Sequence, residues 1–154
     1  MLCIASLNTA RGKSRDAAIK SQMGELRKAA ELYQLMHGAY GSIARGQDSV
    51  GECSGGSSSM NNSMFGPNAS DDNVTRLVTA VHDKSSQTGG GSRVYCAVGN
   101  SPDSWAFAAP LGNPEGSNEG WCVDSSGSSK DFNLNNMSAA NSGILRSGNA
   151  ALCP

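Results

Sequence analysis

The sequence has 154 residues, a formal net charge of −1, and only 38% hydrophobic and 5% aromatic residues. That length suits one domain, the near-neutral charge excludes a strongly basic nucleic-acid binder, and no run of about eighteen apolar residues offers a membrane-spanning helix. Gly, Ser and Asn together number 56, so the body is expected to be loop-rich, with a modest core that needs other support.

The chain opens on its most patterned stretch, Leu2 to Met36. Ile19, Met23, Leu26, Ala30 and Tyr33 recur at steps of four, three, four and three, which is the helical period. These five residues are the expected core-packing face. Lys20, Gln22, Glu25, Arg27, Lys28 and Glu31 lie between them and read as the solvated side, and most of the stretch is built from strong helix formers. His37-Gly38 supplies the stop: a residue that can bind the last carbonyls, then a glycine free to turn left-handed.

Such a helix is about 52 Å long, whereas a compact globule of this chain length is about 40 Å across. The helix is therefore expected to overhang its own domain. Leu2, Ile4, Ala5 and Leu7 start it without a capping residue, as though the chain were cut into a longer hydrophobic segment with Met1 not its natural start. The reading divides the chain into an overhanging end, residues 1–16, and a globular head, residues 17–154.

Ala39 to Pro67 shows little periodicity and reads as a connecting loop. A second helix follows, capped by Asp71 or Asp72, with Val74, Leu77, Val78 and Val81 as its apolar face. After Gly89-Gly90-Gly91 the period changes to two. Arg93 to Val98, Ser104 to Ala109 and Gly120 to Asp124 are rich in β-branched and aromatic residues and are separated by turn clusters, so they read as an antiparallel meander. Ser129 to Asn133 extends it as a fourth, edge strand, and Asn135 onward reads as a loop tethered by Cys153. The fold class expected is α+β: a long N-terminal helix packed on a small antiparallel sheet of three to four strands.

Five cysteines stand at 3, 53, 96, 122 and 153, with no Cys-x-x-Cys pair, and His37 and His82 stand alone. Zinc and thioredoxin-like sites fail on that spacing. Two disulfides plus a leftover Cys3 are expected, hence an oxidising compartment, and four cysteines leave three connectivities open. Residues 1 to 37 hold six Lys/Arg against three Asp/Glu, and residues 38 to 154 hold six against ten. The helix is basic and the body acidic, which argues against a DNA-binding head but not against a contact of the helix with nucleic acid, a membrane surface or another copy's acidic body. No nucleophile or carboxylate pair flanks either histidine, Asp71, Asp72 and Asp103 read as cap and turn residues, and Gly89-Gly90-Gly91 lacks the Lys-Ser/Thr of a phosphate loop. No catalytic, cofactor or metal site is expected.

The runs Ala5-Ser6-Leu7-Asn8-Thr9-Ala10-Arg11, Asp16-Ala17-Ala18-Ile19-Lys20, Ala30-Glu31-Leu32-Tyr33 and Gly38-Ala39-Tyr40-Gly41 resemble the long N-terminal helix of bacterial type IV pilins and pseudopilins, just beyond its membrane-spanning half. Gly120 to Lys130 and the terminal Cys153-Pro154 look like the last strand and closing cysteine of that family. The match covers about a third of the chain in two places. The family's basic leader, its cleavage site after glycine, its N-methylated phenylalanine and its apolar segment are not in this sequence; Leu2-Cys3-Ile4 resembles the tail of that segment.

The resemblance implies a structural subunit of an extracellular type IV pilus-like filament, serving adhesion, motility or DNA uptake. The alternative is a pseudopilin of a type II secretion system, or a minor pilin or adhesin acting as a binding module on the same fold. It implies a Cys122–Cys153 bridge closing the C-terminal loop, which leaves Cys53 with Cys96. The implied partners are other copies of the chain and the assembly machinery, with the inner membrane holding the subunit before assembly. Leu2, Ile4, Leu7, Arg11, Lys13 and Arg15 on the overhanging end are the expected subunit interface, the basic residues facing a neighbour's acidic head.

Overall fold

The computed structural model describes residues 2–41, 49–53, 63–66, 72–87, 94–99, 103–112, 119–133, 146–147 and 150–154. Helix α1 spans Leu2–His37 as one unbroken element. It ends where expected: Gly38 takes a left-handed φ of 76° and its amide donates to the Gln34 carbonyl at 2.7 Å, the geometry that closes a helix on glycine. Ile19, Met23, Leu26, Ala30 and Tyr33 are all buried. The buried side of α1 reaches back to Gly12, and Arg15 is only half-exposed, so the packed part begins before residue 17.

Strand β1 (Ser49–Glu52), helix α2 (Asp72–Ser86) and strands β2 (Tyr95–Val98), β3 (Trp105–Pro110), β4 (Glu119–Asp124) and β5 (Ser129–Asn133) follow in chain order. The five strands form one sheet in sequential order, each neighbour pair antiparallel. The sheet therefore has one strand more than three to four. The addition, β1, lies in the stretch read as a connecting loop. Ser-Val-Gly-Glu has one β-branched residue and a glycine, too weak a signal for a strand. It gains its place from β2, onto which it registers Gly51 opposite Cys96, and from Cys53 next to it, which is bonded to Cys96.

The two faces of the sheet bury different kinds of residue, as the alternation of a strand requires. One face carries Cys96, Val98, Trp105, Phe107, Ala109, Trp121 and Val123 against α1 and α2. From α2 come Val74, Val78 and Val81, all buried, with Leu77 packed beside them; the side chains of Asp71 and Asp72, the expected caps, lie outside the described residues, as does Gly89-Gly90-Gly91. Trp105 is the centre of this layer. Tyr40 and Phe65 each meet it in a T-shaped contact at 6.1 Å between centroids, and Phe65 also stacks on Phe107 at 5.9 Å. Such aromatic contacts add about 0.5 to 1.5 kcal/mol each beyond area burial.

The other face carries small side chains, Ala97, Ala106 and Ala108, with Cys122. A C-terminal pair of short strands, β6 (Arg146–Ser147) and β7 (Ala150–Ala151), stands in the stretch read as a loop. Ala151 packs into the alanine face, and its amide donates to Ser104 Oγ at 3.1 Å. Alanines are what let a backbone strap lie that close. Gly120 follows the same logic, since a Cβ there would collide with the ring of Phe132, its cross-strand partner.

Candidate functional site

Three groups of residues bear on what this head can do: those that fix α1 on the sheet, those that lock the C-terminal strap, and those that α1 leaves uncovered. Polar contacts run along the sheet-facing flank of α1. Arg15 Nη1 donates to the Gln87 carbonyl at 3.1 Å, just past the end of α2, and Asp16 Oδ1 accepts from the Gly112 amide at 2.7 Å. Lys20 Nζ lies 4.0 Å from the centre of the Trp121 ring and 3.2 Å from Asp131 Oδ1. Trp121 and Asp131 face each other across β4 and β5, so one ammonium clamps both strands. One heptad later Arg27 donates through Nη2 to the Ser128 carbonyl and, at 2.8 Å, to Ser129 Oγ. Replacing Lys20 by alanine is expected to cost about 1 kcal/mol, because a cation over an indole retains value in water where an exposed ion pair retains little. Urea melts at low and high salt check this: most of the loss should persist in salt.

The strap is locked at Asp124, the last residue of β4. Asp124 as a whole is 1% exposed. Oδ1 accepts from the Ser126 amide at 2.9 Å, Ser126 Oγ at 2.6 Å and the Ser128 amide at 3.1 Å, which shapes the β4–β5 turn. Oδ2 accepts from the Cys153 amide at 2.8 Å. Cys153 is also bonded to Cys122, with Cα atoms 5.8 Å apart, and Cys53 is bonded to Cys96, with Cα atoms 5.7 Å apart. Both pairings are the ones the resemblance implies. The Cys122–Cys153 bond and the Asp124 carboxylate hold the same residue from two directions.

Of the expected interface residues, Arg11 and Lys13 are exposed and Leu7 is 51% exposed. Arg15 differs: its guanidinium reaches its own head and caps a carbonyl there, so it is a tie between α1 and α2 rather than a free charge. The side chains of Leu2 and Ile4 lie outside the described residues. A second uncovered apolar group, Leu32, Leu35 and Met36, sits at the far end of α1, with Leu35 83% exposed. The stripe that identifies the core passes these three by. Asp124 carries a weak sequence signal, an Asp opening a Ser-Ser-Gly turn, but nothing local reveals its bond to Cys153.

Tyr40 shows a shifted titration: burial raises its pKa, the Trp105 indole pulls the other way, and the Glu31 and Asp103 carboxylates add to the rise. His37 stacks on Tyr33 at 4.3 Å, and His82 Nδ1 lies 3.5 Å from Asp83. Among the described residues no group of three His, Cys, Asp or Glu is placed to hold a metal ion, and no helix is long and apolar enough to cross a membrane. Comparison with models of known families, with curated proteins and with solved structures finds no match.

Proposed function

We propose that the chain is the head and attached helix of a subunit of an extracellular type IV pilin-like filament. One observation carries the reading. Helix α1 is a single element of 36 residues, and where its side chains are described, from Leu7 on, its first buried position is Gly12, with Leu7 51% exposed ahead of it. With Leu2, Ile4 and Leu7 in its sequence, this end of the helix carries a cluster of apolar residues of the kind that lipid or another chain covers. The resemblance of residues 5 to 41 and 120 to 130 to pilins names that cover as neighbouring copies. Two disulfides suit a head that works outside the cell, where the thiol buffers of the cytosol do not reach.

In this reading the partners are further copies of the chain and the machinery that assembles them, with the inner membrane as the holding site before assembly. The test is mechanical. Cells making the protein are sheared, the released filaments are pelleted, and both fractions are probed with antibody raised against the 154-residue chain. The subunit is expected in the filament pellet, with its two disulfides intact. Protein found only in the soluble interior of the cell, with free thiols at Cys122 and Cys153, would contradict the proposal.

A further inference from the structure

The two disulfides sit on opposite faces of the sheet and differ in what can reach them. Cys53 and Cys96 belong to the core that α1 and α2 cover, and both are buried, at 2% and 0% exposure. Cys122 and Cys153 belong to the alanine face. There Cys122 is fully buried, whereas Cys153 is partly exposed. Thiol–disulfide exchange requires a thiolate to reach one of the two sulfurs, so access decides which bond exchanges on a folded protein. We propose that Cys122–Cys153 is a redox-operated clasp: a dithiol opens it on the folded head, freeing the C-terminal strap while Cys53–Cys96 and the α1 side of the sheet stay as they are.

The attack falls on the exposed sulfur. A thiolate of the dithiol bonds to Cys153 Sγ, the Cys122–Cys153 bond breaks, and Cys122 leaves as a thiolate that takes up the proton the attacking thiol gave up. The second thiol then attacks its partner sulfur in the mixed disulfide, and Cys153 leaves with the second proton. The dithiol ends as a disulfide, and two electrons have passed to the head. A disulfide donor running the same steps backwards closes the clasp.

Once the bond is broken, little else holds the strap. The Ala151 amide donates to Ser104 Oγ at 3.1 Å and the Cys153 amide to Asp124 Oδ2 at 2.8 Å, while the β6–β7 pairing lies within the strap and moves with it. Two hydrogen bonds and one buried alanine are too few to order residues 150–154 against their conformational entropy. The opening stops at the sheet. Among the described residues, the apolar cluster under α1 and α2 contains none from the strap. Asp124 Oδ1 keeps Ser126 and Ser128, so the β4–β5 turn stays formed and Arg27 keeps the Ser128 carbonyl and Ser129 Oγ. Such an opening is local, not global.

The clasp is a property of the head's own fold and stands whether or not the chain assembles into filaments. The 154-residue chain carrying Cys3→Ser is treated with dithiothreitol in native buffer, and its free thiols are alkylated and mapped to peptides over time. Cys122 and Cys153 are expected to be alkylated at least about tenfold faster than Cys53 and Cys96. In that product the Ala151 and Cys153 amides should lose at least about tenfold of their hydrogen-exchange protection, while the α1 amides and the near-ultraviolet circular dichroism of the tryptophans stay as in the oxidised chain. Oxidised glutathione should restore the strap's protection. Reduction of both bonds at one rate, or of Cys53–Cys96 first, would overturn the proposal. So would a reduced Cys122–Cys153 pair whose strap amides remain protected, or whose α1 amides lose protection together with them, because the bond would then be a passive staple or a support of the whole head.

Discussion

Replacing Asp124 by alanine is expected to destabilise the head by about 3 to 5 kcal/mol, since it strands several donors at once and each buried donor left without a partner costs about 1 to 3 kcal/mol. The Ser126 and Ser128 amides lose Oδ1, and the Cys153 amide loses Oδ2. Water reaches the turn amides in part, which keeps the total below the sum of three full penalties. Asparagine at 124 keeps one acceptor oxygen and is expected to cost about half as much, with the loss falling on either the turn or Cys153 depending on which way the amide points. Urea unfolding of the two variants checks this. If alanine and asparagine cost the same, the acceptor geometry is not what Asp124 supplies.

The second large effect is the loss of the Cys122–Cys153 bond. It closes a loop of 31 residue steps, and in the chain-entropy account removing it costs about 4 kcal/mol, comparable with the whole stability of a small domain. The strap it tethers covers Ala97, Ala106 and Ala108, so the Cys122→Ala, Cys153→Ala protein should expose that face and bind a hydrophobic dye before it unfolds. Because Asp124 holds the same Cys153, the two changes are expected to be less than additive: once the strap is loose, the Oδ2 contact has little left to hold. Equilibrium melts of the single and combined variants measure that coupling. Full additivity would show that the bond and the carboxylate act on separate parts of the chain.

Where a repeat of three and four or of two runs for several residues, the fold was legible. Ile19 to Tyr33 announced the buried side of α1, Val74 to Val81 that of α2, and the runs around Tyr95, Trp105, Trp121 and Lys130 announced β2 to β5. Elements created by tertiary partners were not legible. Ser49–Glu52 is a strand because Tyr95–Val98 offers it an edge, and Ala150–Ala151 is ordered against alanines brought together from β2 and β3. The same limit applies to the sites. Lys20 and Arg27 read as solvated charges because their partners, Trp121, Asp131, Ser128 and Ser129, are about a hundred residues away. Arg15 read as an interface charge for the same reason, its acceptor at Gln87 being 72 residues on. Leu32, Leu35 and Met36 were visible as apolar residues off the stripe, but only burial shows that nothing in the described head covers them.

The filament reading rests on α1 being divided into a part that builds the head and a part that leaves it. The direct test compares two changes to the same helix by thermal unfolding: deletion of residues 2 to 10, and Leu26→Ala. Leu26 is fully buried, and its truncation is expected to cost about 2 to 5 kcal/mol through lost burial and the cavity left behind, whereas none of the described side chains the deletion removes, those from Leu7 to Ala10, is buried. The account predicts a melting temperature nearly unchanged by the deletion and lowered by many degrees by Leu26→Ala. A deletion as damaging as the core substitution would contradict it.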